Sequence, residues 1–221
     1  LGVVQMADAD SASILDSDFG FNSAEGIGGA VYLNNIRQGQ ILNSHFYNNS
    51  ATTYGGSIAV LNSDVSINST TIRNSFANSG GALYLFQLSE VSLFNCSFQS
   101  SQALDSGGAI YVGDQSILRG DLVTLSSCEG PYGGALYMSY KSSAAFRYLK
   151  AQNNIAGFSG GVFGLFAYAS LTVSDSSITS NQAFLGGAFS LQYYCSATVT
   201  NTRFSTNTAN SYGGVAYVLI S

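Results

Sequence analysis

Carboxylates are the side chains in this sequence that are best suited to acid–base chemistry, and one pair stands out by its spacing. Asp64 and Glu90 lie 16 and 17 residues before two successive Gly-Gly pairs, so a repeating fold places them in adjacent repeats, about 5 Å apart. Two carboxylates at that separation perturb each other's pKa and can act as acid and base in the cleavage of a sugar bond. No Arg or Lys shares their register, and no flanking aromatic platform is evident, so we interpret both as solvated turn residues.

A second acidic group lies near the beginning of the chain. Asp8, Asp10, Asp16 and Asp18 supply the oxygen ligands that Ca²⁺ prefers. Asp16 also belongs to a periodic series of polar residues described below. We therefore predict no metal site and no cofactor.

The chain has too few cysteines and histidines for most of the chemistry that these residues perform. The chain has three cysteines, Cys96, Cys128 and Cys195, and a single histidine, His45. An odd count excludes a complete set of internal disulfides, and no two cysteines have a metal-ligand spacing. We predict that the cysteines are small buried residues.

Composition excludes several classes of protein. The 221 residues contain 7 Lys and Arg against 12 Asp and Glu, 25 Gly, and only 9% charged residues. A nucleic-acid-binding protein needs clustered cations, and a membrane span needs about 18 consecutive apolar residues. The sequence has neither, so we predict no nucleic acid partner and no membrane insertion of this segment.

The elements that would position these residues are set by a repeat. A Gly-Gly pair recurs every 25 to 27 residues without an intervening linker, so we predict a single domain over residues 1–221. The pairs begin at Gly28, Gly55, Gly80, Gly107, Gly133, Gly160, Gly186 and Gly213.

Apolar residues alternate after every Gly-Gly pair. The third and fifth positions after the first glycine are apolar in all eight copies, for example Ile110 and Val112, which indicates a strand with one buried face. Two further short apolar runs follow in each repeat, so we predict three strands per repeat. The predicted fold class is all-β: a right-handed parallel β-helix of about eight rungs. Neither end carries a polar cap, so we expect further chain or another subunit to continue it.

Polar residues mark the predicted corners of each rung. Asn tolerates left-handed backbone and bonds to nearby backbone groups, so stacked copies are predicted to form hydrogen-bonded structural ladders. One series lies twelve residues before the pairs: Asp16, Asn43, Asn68, Asn95, Asp121 and Asn201, with Asp175 one place late. The other lies six residues before the pairs: Asn22, Asn49, Asn74, Asn154 and Asn207, with Asn181 one place late.

A tyrosine series is not explained by the core. The fourth position after the first glycine points outward if its neighbours point inward, and five copies carry tyrosine there. They are Tyr32, Tyr84, Tyr111, Tyr137 and Tyr217. We predict that this nearly uncharged strip contacts another protein subunit or a glycan; the alternative is a surface on which the rings only stack on one another.

Three N-x-S/T sequons occur, at Asn48, Asn68 and Asn95. Asn68 and Asn95 belong to the corner series, whose amides are expected to be occupied. We therefore predict that Asn48 carries the glycan if the source is eukaryotic.

Two short motifs resemble the repeat of the chlamydial polymorphic outer-membrane proteins, which carry GGA followed by Ile, Leu or Val, and FxxN. Residues 28–31, 80–83, 107–110 and 133–136 match the first motif. Residues 19–22, 46–49 and 204–207 match the second, and 178–181 nearly do. The resemblance implies the passenger of a surface adhesin. Similar repeats occur in extracellular surface and filament proteins of protists.

These observations favour a non-enzymatic structural or adhesive module that is extracellular or on the cell surface. We expect it to assemble end to end or laterally, with other protein subunits or surface glycans as partners. A carbohydrate-active enzyme of the lyase or hydrolase type and a glycan-binding β-helix remain alternatives, because both use this class of fold.

Overall fold

The protein is a parallel β-solenoid of eight rungs. The structure is a computed structural model that describes residues 4–219. Its strands form one 15-stranded sheet and two 8-stranded sheets in which every pairing is parallel. The predicted parallel β-helix is confirmed, while its right-handed sense stays a prediction. Residues 4–219 contain no helix that is long and apolar enough to cross a membrane.

Each rung has four faces, which we number from the strand that follows the Gly-Gly pair. The first two rungs comprise β1 (Val4–Leu15), β2 (Asp18–Gly20), β3 (Ser23–Ala24), β4 (Val31–Leu42), β5 (His45–Tyr47) and β6 (Ser50–Ala51). The next three rungs comprise β7 (Ile58–Leu61), β8 (Asp64–Asn68), β9 (Thr71–Arg73), β10 (Phe76–Ser79), β11 (Leu83–Phe86), β12 (Glu90–Phe94), β13 (Ser97–Gln99), β14 (Gln102–Ser106), β15 (Ile110–Val112), β16 (Ile117–Asp121), β17 (Thr124–Ser126) and β18 (Glu129–Tyr132).

The remaining rungs repeat this order. They comprise β19 (Leu136–Met138), β20 (Ser143–Arg147), β21 (Lys150–Gln152), β22 (Ile155–Ser159), β23 (Phe163–Phe166), β24 (Ser170–Ser174), β25 (Ser177–Thr179), β26 (Gln182–Leu185), β27 (Phe189–Gln192), β28 (Ser196–Thr200), β29 (Arg203–Ser205) and β30 (Thr208–Tyr212), and β31 (Ala216–Leu219) follows. The prediction of three strands per rung is wrong for six of the eight rungs, because a further short strand precedes each Gly-Gly pair and makes four strands per rung from β7 onward. In β1 and β4 the first two faces run together as one strand.

A single apolar core fills the solenoid. The third and fifth positions after the first glycine are buried after the first seven Gly-Gly pairs, as in Ile110 and Val112, both fully buried. After the eighth pair, at the end of the described residues, Val218 is 56% exposed. Inward-facing residues of the other faces, such as Phe98 and Ile67, complete the core.

Glycine is required at each of the two positions of the Gly-Gly pair for a different structural reason. The first glycine of all eight pairs has a φ between 60° and 68°, a region that side chains disfavour. The second glycine allows the rungs to stack closely. A Cβ on Gly81 would overlap the carbonyl oxygens of Gly108 and Gln102 in the next rung. Each pair therefore both turns the chain and brings two rungs into backbone contact.

Candidate ligand-binding groove

Tyrosine rings stack along the first face of the solenoid. Tyr84, Tyr111 and Tyr137 are register partners in β11, β15 and β19. The ring centroids of Tyr84 and Tyr111 are 4.9 Å apart, and those of Tyr111 and Tyr137 are 5.7 Å apart. Tyr54 extends the stack at the other end, 4.4 Å from Tyr84. We call these four rings the tyrosine stack.

Stacking buries the rings that the sequence analysis expected to be available to a partner. Tyr84 points away from the core but is only 5% exposed, because its two faces are covered by Tyr54 and Tyr111. Tyr111 and Tyr137 are half-buried. The expectation that Tyr84 contacts a partner is therefore corrected: its ring is a packing element of this face.

The other two predicted tyrosines lie outside the stack. Tyr32 pairs in register with Ala59, which separates it from Tyr84. Tyr217 pairs with Ser190, and its nearest ring neighbour is Tyr212, at 6.4 Å. The five residues thus do not form one continuous column.

The tyrosine stack forms the floor of a groove of about 550 Å³. One wall comes from the fourth face, where Tyr132 and Phe158 are 38% and 45% exposed and their rings are 5.5 Å apart. The opposite wall lies at the corner after the first face, where Phe166 and Tyr193 meet edge to face at 4.8 Å. We call this cavity the aromatic groove.

The polar groups of the aromatic groove are almost all uncharged. Asp105 is the only charged side chain among the described residues that line it. The hydroxyl groups of Tyr111 and Ser139 are hydrogen-bonded at 2.9 Å. Burial raises the pKa of Tyr84, Tyr111 and Tyr137, so these phenols remain neutral at physiological pH.

Sequence reasoning missed the walls of this groove. The sequence nevertheless contains a pattern that marks one wall: an aromatic residue lies one or two positions before each of four successive Gly-Gly pairs. These residues are Tyr132, Phe158, Phe184 and Tyr212. The rings of Phe158 and Phe184 stack at 6.1 Å. The fourth strand that carries this row was not predicted, so its outward aromatic residues were not recognised as one surface.

A buried amide ladder follows the FxxN motif. The backbone N–H and Nδ2 of Asn22 both donate to Oδ1 of Asn49, at 2.9 and 3.0 Å. Asn154 donates to Asn181 in the same way, and Asn181 to Asn207. Their Nδ2 groups also reach carbonyl oxygens of the preceding rung. Asn181 is therefore in register with the other asparagines of the buried ladder, although its distance from the Gly-Gly pair is one residue shorter than theirs.

Asn74 does not belong to the buried ladder. Its rung places Ser75 there, and the Ser75 and Ser57 hydroxyls are 2.7 Å apart. Asn74 lies at the outer corner with a φ of 52°, where its Nδ2 donates to Oδ1 of Asn48. Counting back from the Gly-Gly pair gave the wrong residue, because the intervening loop is one residue shorter in this rung.

An outer ladder occupies the corner between the second and third faces. Nδ2 of Asn43 donates to Oδ1 of Asp16, and Nδ2 of Asn201 donates to Oδ1 of Asp175, both at 3.2 Å. Nδ2 of Asn95 donates to the Ser69 hydroxyl at 3.4 Å. These residues, together with Leu122 and Tyr148, have a positive φ.

The predicted corner residues Asn68 and Asp121 lie one place earlier, at the ends of β8 and β16. Ser69 and Leu122 occupy the corner in their rungs. Asp121 instead accepts a hydrogen bond from Arg147 at 2.9 Å, on the exposed surface of the second face. Both assignments to the ladder are therefore corrected.

The acidic side chains are paired or dispersed. Asp64 and Glu90 are register partners, and the residue in register with them in the next rung is Ile117, so no basic residue shares their register there. Arg119, two positions further along the same strand, nevertheless forms an ion pair with Glu90. Asp10 lies 3.4 Å from Arg37. Among residues 4–219 no cluster of three or more His, Cys, Asp or Glu is suited to a metal ion.

The three cysteines form no disulfide with one another. Cys96 and Cys128 are buried and Cys195 is half-buried. Burial raises the pKa of all three thiols, and that of Cys128 to about 12. Cys128 takes the place of an asparagine in the buried ladder, where its backbone N–H donates to Oδ1 of Asn154 at 3.0 Å.

The sequons lie at corners and strand ends. Asn48 and Asn95 are both exposed, and Asn68 is half-buried. Exposure therefore gives no reason to prefer Asn48 over Asn95, and the preference for glycan at Asn48 stays a prediction.

Comparisons of this chain with protein families, with curated proteins and with solved structures gave no match.

Proposed function

We propose that this protein is a non-enzymatic adhesive module that binds its ligand in the aromatic groove. The observation that carries the proposal is the lining of that groove, in which exposed rings alternate with hydroxyl groups around a single carboxylate, Asp105. Concave sites with apolar walls and a few convergent polar groups are the usual form of ligand sites.

The same lining argues for binding over cleavage. Hydrolysis of a glycosidic bond ordinarily uses two carboxylates, and those of an inverting or retaining pair lie roughly 5 to 9.5 Å apart. Asp105 has no carboxylate partner among the described residues that line the groove. Asp64 and Glu90 belong to the second face, where Glu90 is paired with Arg119.

The extracellular or cell-surface location is proposed from the repeat, which resembles that of the chlamydial polymorphic outer-membrane proteins and of protist surface proteins. In this chain the glycines of the motif turn and stack the backbone, and the asparagines bond successive rungs. These roles are architectural. The resemblance therefore supports the fold and the placement, and the groove supports the binding function.

The test is adhesion to a panel of immobilised glycans and to cells, with the purified chain. We expect the double variant Phe158→Ser/Tyr193→Ser to bind at least about tenfold more weakly than the parent, because both rings line the groove. The control is Phe94→Ser/Tyr148→Ser, which removes two rings of similar exposure outside it. Equal loss in both variants, or release of new reducing ends from any bound glycan, contradicts the proposal.

Lateral assembly is a second candidate function. Tyr168 and Tyr194 stack at 5.3 Å and are 58% and 61% exposed, which makes an apolar ridge at the corner after the first face. Rings of this size suit a contact between subunits. Sedimentation of the Tyr168→Ser/Tyr194→Ser variant tests it: a shift from oligomer to monomer supports assembly through this ridge, and an unchanged profile excludes it.

A further inference from the structure

The tyrosine stack ends in the middle of the aromatic groove. In the two rungs beyond Tyr137, the outward position of the first face is Gly164 and then Ser190, and the next tyrosine in register is Tyr217. A Cβ on Gly164 would lie 2.9 Å from Cδ2 of Tyr137, so the glycine allows the last ring of the stack to lean over it. One face of Tyr137 packs on Tyr111, and the Tyr132 ring approaches Tyr137 at 6.4 Å with a tilt of 59°. No described residue stacks a parallel ring on the other face.

The interruption leaves two positions of the first face without a ring, and the small residues there, Gly164 and Ser190, lie buried at the bottom of the groove. Tyr137 and Tyr217 are three rungs apart, which is about 14 Å at the spacing of paired strands. Phe158 borders this space on one side, and Phe166 and Tyr193 border it on the other. We call this part of the groove the stack gap.

Hydrogen-bonding groups lie beside the rings of the stack gap. Gln192 Nε2 donates to the Ser190 hydroxyl at 3.2 Å, and both residues line the cavity. Ser190 is only 1% exposed, whereas Gln192 is half-buried. The described lining contains no cation, and Asp105 is its one charged group. The site therefore combines a ring face, lateral rings and uncharged donors and acceptors, and it does not attract polyanions.

From this geometry we infer that the stack gap is a sugar subsite, which holds a pyranose ring of a neutral oligosaccharide against the open face of Tyr137. A pyranose has an apolar face that stacks on an aromatic ring and a rim of hydroxyl groups for the amide of Gln192, which is half-buried in the groove. The inference rests on the proposed binding function and names the ligand class of the groove. A peptide with an aromatic side chain is the competing occupant, and the test separates the two.

Filling the gap from the protein side gives a direct test. Ser190→Tyr places a tyrosine in the position that Tyr84, Tyr111 and Tyr137 occupy in other rungs. Ser190 is 1% exposed and Tyr84 is 5% exposed, so this position accepts a ring even where it is buried, and we expect a folded variant with an unchanged or higher melting temperature. Thr172→Tyr adds a ring on the exposed second face and is the matched control. Gly164 is left unchanged, because its Cβ would also approach the backbone nitrogen of Gly133 at 2.9 Å.

The probes are neutral oligosaccharides (gluco-, chito- and manno-hexaoses), polygalacturonate and a tyrosine-rich peptide, measured by titration calorimetry. Tyrosine fluorescence is a second readout, since the chain has no Trp. We expect at least one neutral oligosaccharide to bind, Ser190→Tyr to weaken it at least about tenfold, and Thr172→Tyr to change it less than about twofold.

Three outcomes overturn the subsite: binding of none of the neutral oligosaccharides, a preference for polygalacturonate or the peptide, or full binding by Ser190→Tyr. If Ser190→Tyr binds normally while Phe158→Ser/Tyr193→Ser does not, only the subsite fails and the groove remains the binding site. If neither variant affects binding, the proposed function fails as well.

Discussion

At the scale of single residues, the asparagine of the FxxN motif completes the backbone hydrogen bonding of the interior. Asn154 receives the Cys128 N–H, donates to the Leu125 carbonyl oxygen, and contacts Asn181 of the next rung. It is fully buried. A buried polar group is tolerated when its hydrogen bonds are made, and losing the partner costs more than making the bond gains.

Asn154→Ala should therefore destabilise the protein more than an ordinary surface substitution. It leaves the Cys128 N–H and the Leu125 carbonyl without their partner, at about 1–3 kcal/mol for each buried group that stays unsatisfied. Urea unfolding followed by circular dichroism measures the change. Asn153→Gly is the control, because Asn153 is exposed with a φ of 57° and glycine keeps that conformation. A similar loss in both variants would show that the ladder adds nothing specific.

The sequence located most of this ladder, and its errors have a simple cause. The distance from the ladder residue to the Gly-Gly pair is six residues for Asn154 but five for Asn181 and Ser75. Counting from the glycines therefore displaced Asn181 and selected Asn74. Counting from the inward aromatic or aliphatic residue three positions earlier gives the observed register, because no loop intervenes.

At the scale of the strands, packing inside the solenoid depends on complementary sizes in neighbouring rungs. Gly120 of β16 and Phe146 of β20 are register partners on the second face. A Cβ on Gly120 would come within 2.6 Å of Cε1 of Phe146. Phe146 is 2% exposed and packs near Phe163, with ring centroids 6.3 Å apart. The phenylalanine fills volume that the glycine leaves in the adjacent rung.

A double-mutant cycle should reveal this exchange of volume. Gly120→Val forces the Phe146 ring out of its position, and overpacking of this kind costs about 1–3 kcal/mol. Phe146→Ala leaves a cavity at about 3–5 kcal/mol. We expect Gly120→Val to be much less harmful in the Phe146→Ala background, since the valine then occupies the vacated space. Additive changes in unfolding free energy would contradict the complementarity.

The fold class followed from the period of the glycines, but the fourth strand did not. β18, β22 and β26 have four or five residues, and their pairing shifts register through bulges. A bulge breaks the alternation of inward and outward residues on which strand prediction depends. The aromatic groove was missed for the same reason, because one of its walls stands on this strand.

At the scale of the whole molecule, the tyrosine stack and the buried thiols connect stability to pH. Burial raises the pKa of Tyr84, with the neighbouring Tyr111 and Tyr54 as lesser causes. Burial also raises the pKa of Cys128 from 9.0 to about 12. Both groups are neutral when protonated, so the folded state retains protons that the unfolded chain releases at alkaline pH.

Stability should therefore fall as the solution becomes alkaline. The contribution of Cys128 is complete below the unfolded thiol pKa and decreases as the pH rises from about 9 to 12, and that of Tyr84 begins to decrease near pH 10. Each group costs about 1.4 kcal/mol per pH unit over the interval in which only the unfolded form is ionised. Tyr111 and Tyr137 add less, since water partly screens them.

Unfolding by urea at about pH 8, 10 and 11 measures this slope. Tyr84→Phe keeps the stacked ring and removes the ionisable hydroxyl, so its stability should decrease less steeply above about pH 10 than that of the parent. Tyr168→Phe is the control, because it removes the hydroxyl of a ring that is 58% exposed and lies outside the tyrosine stack. Identical slopes for the parent and Tyr84→Phe would mean that the stack opens to water before the protein unfolds, and that the rings are not held as the structure places them.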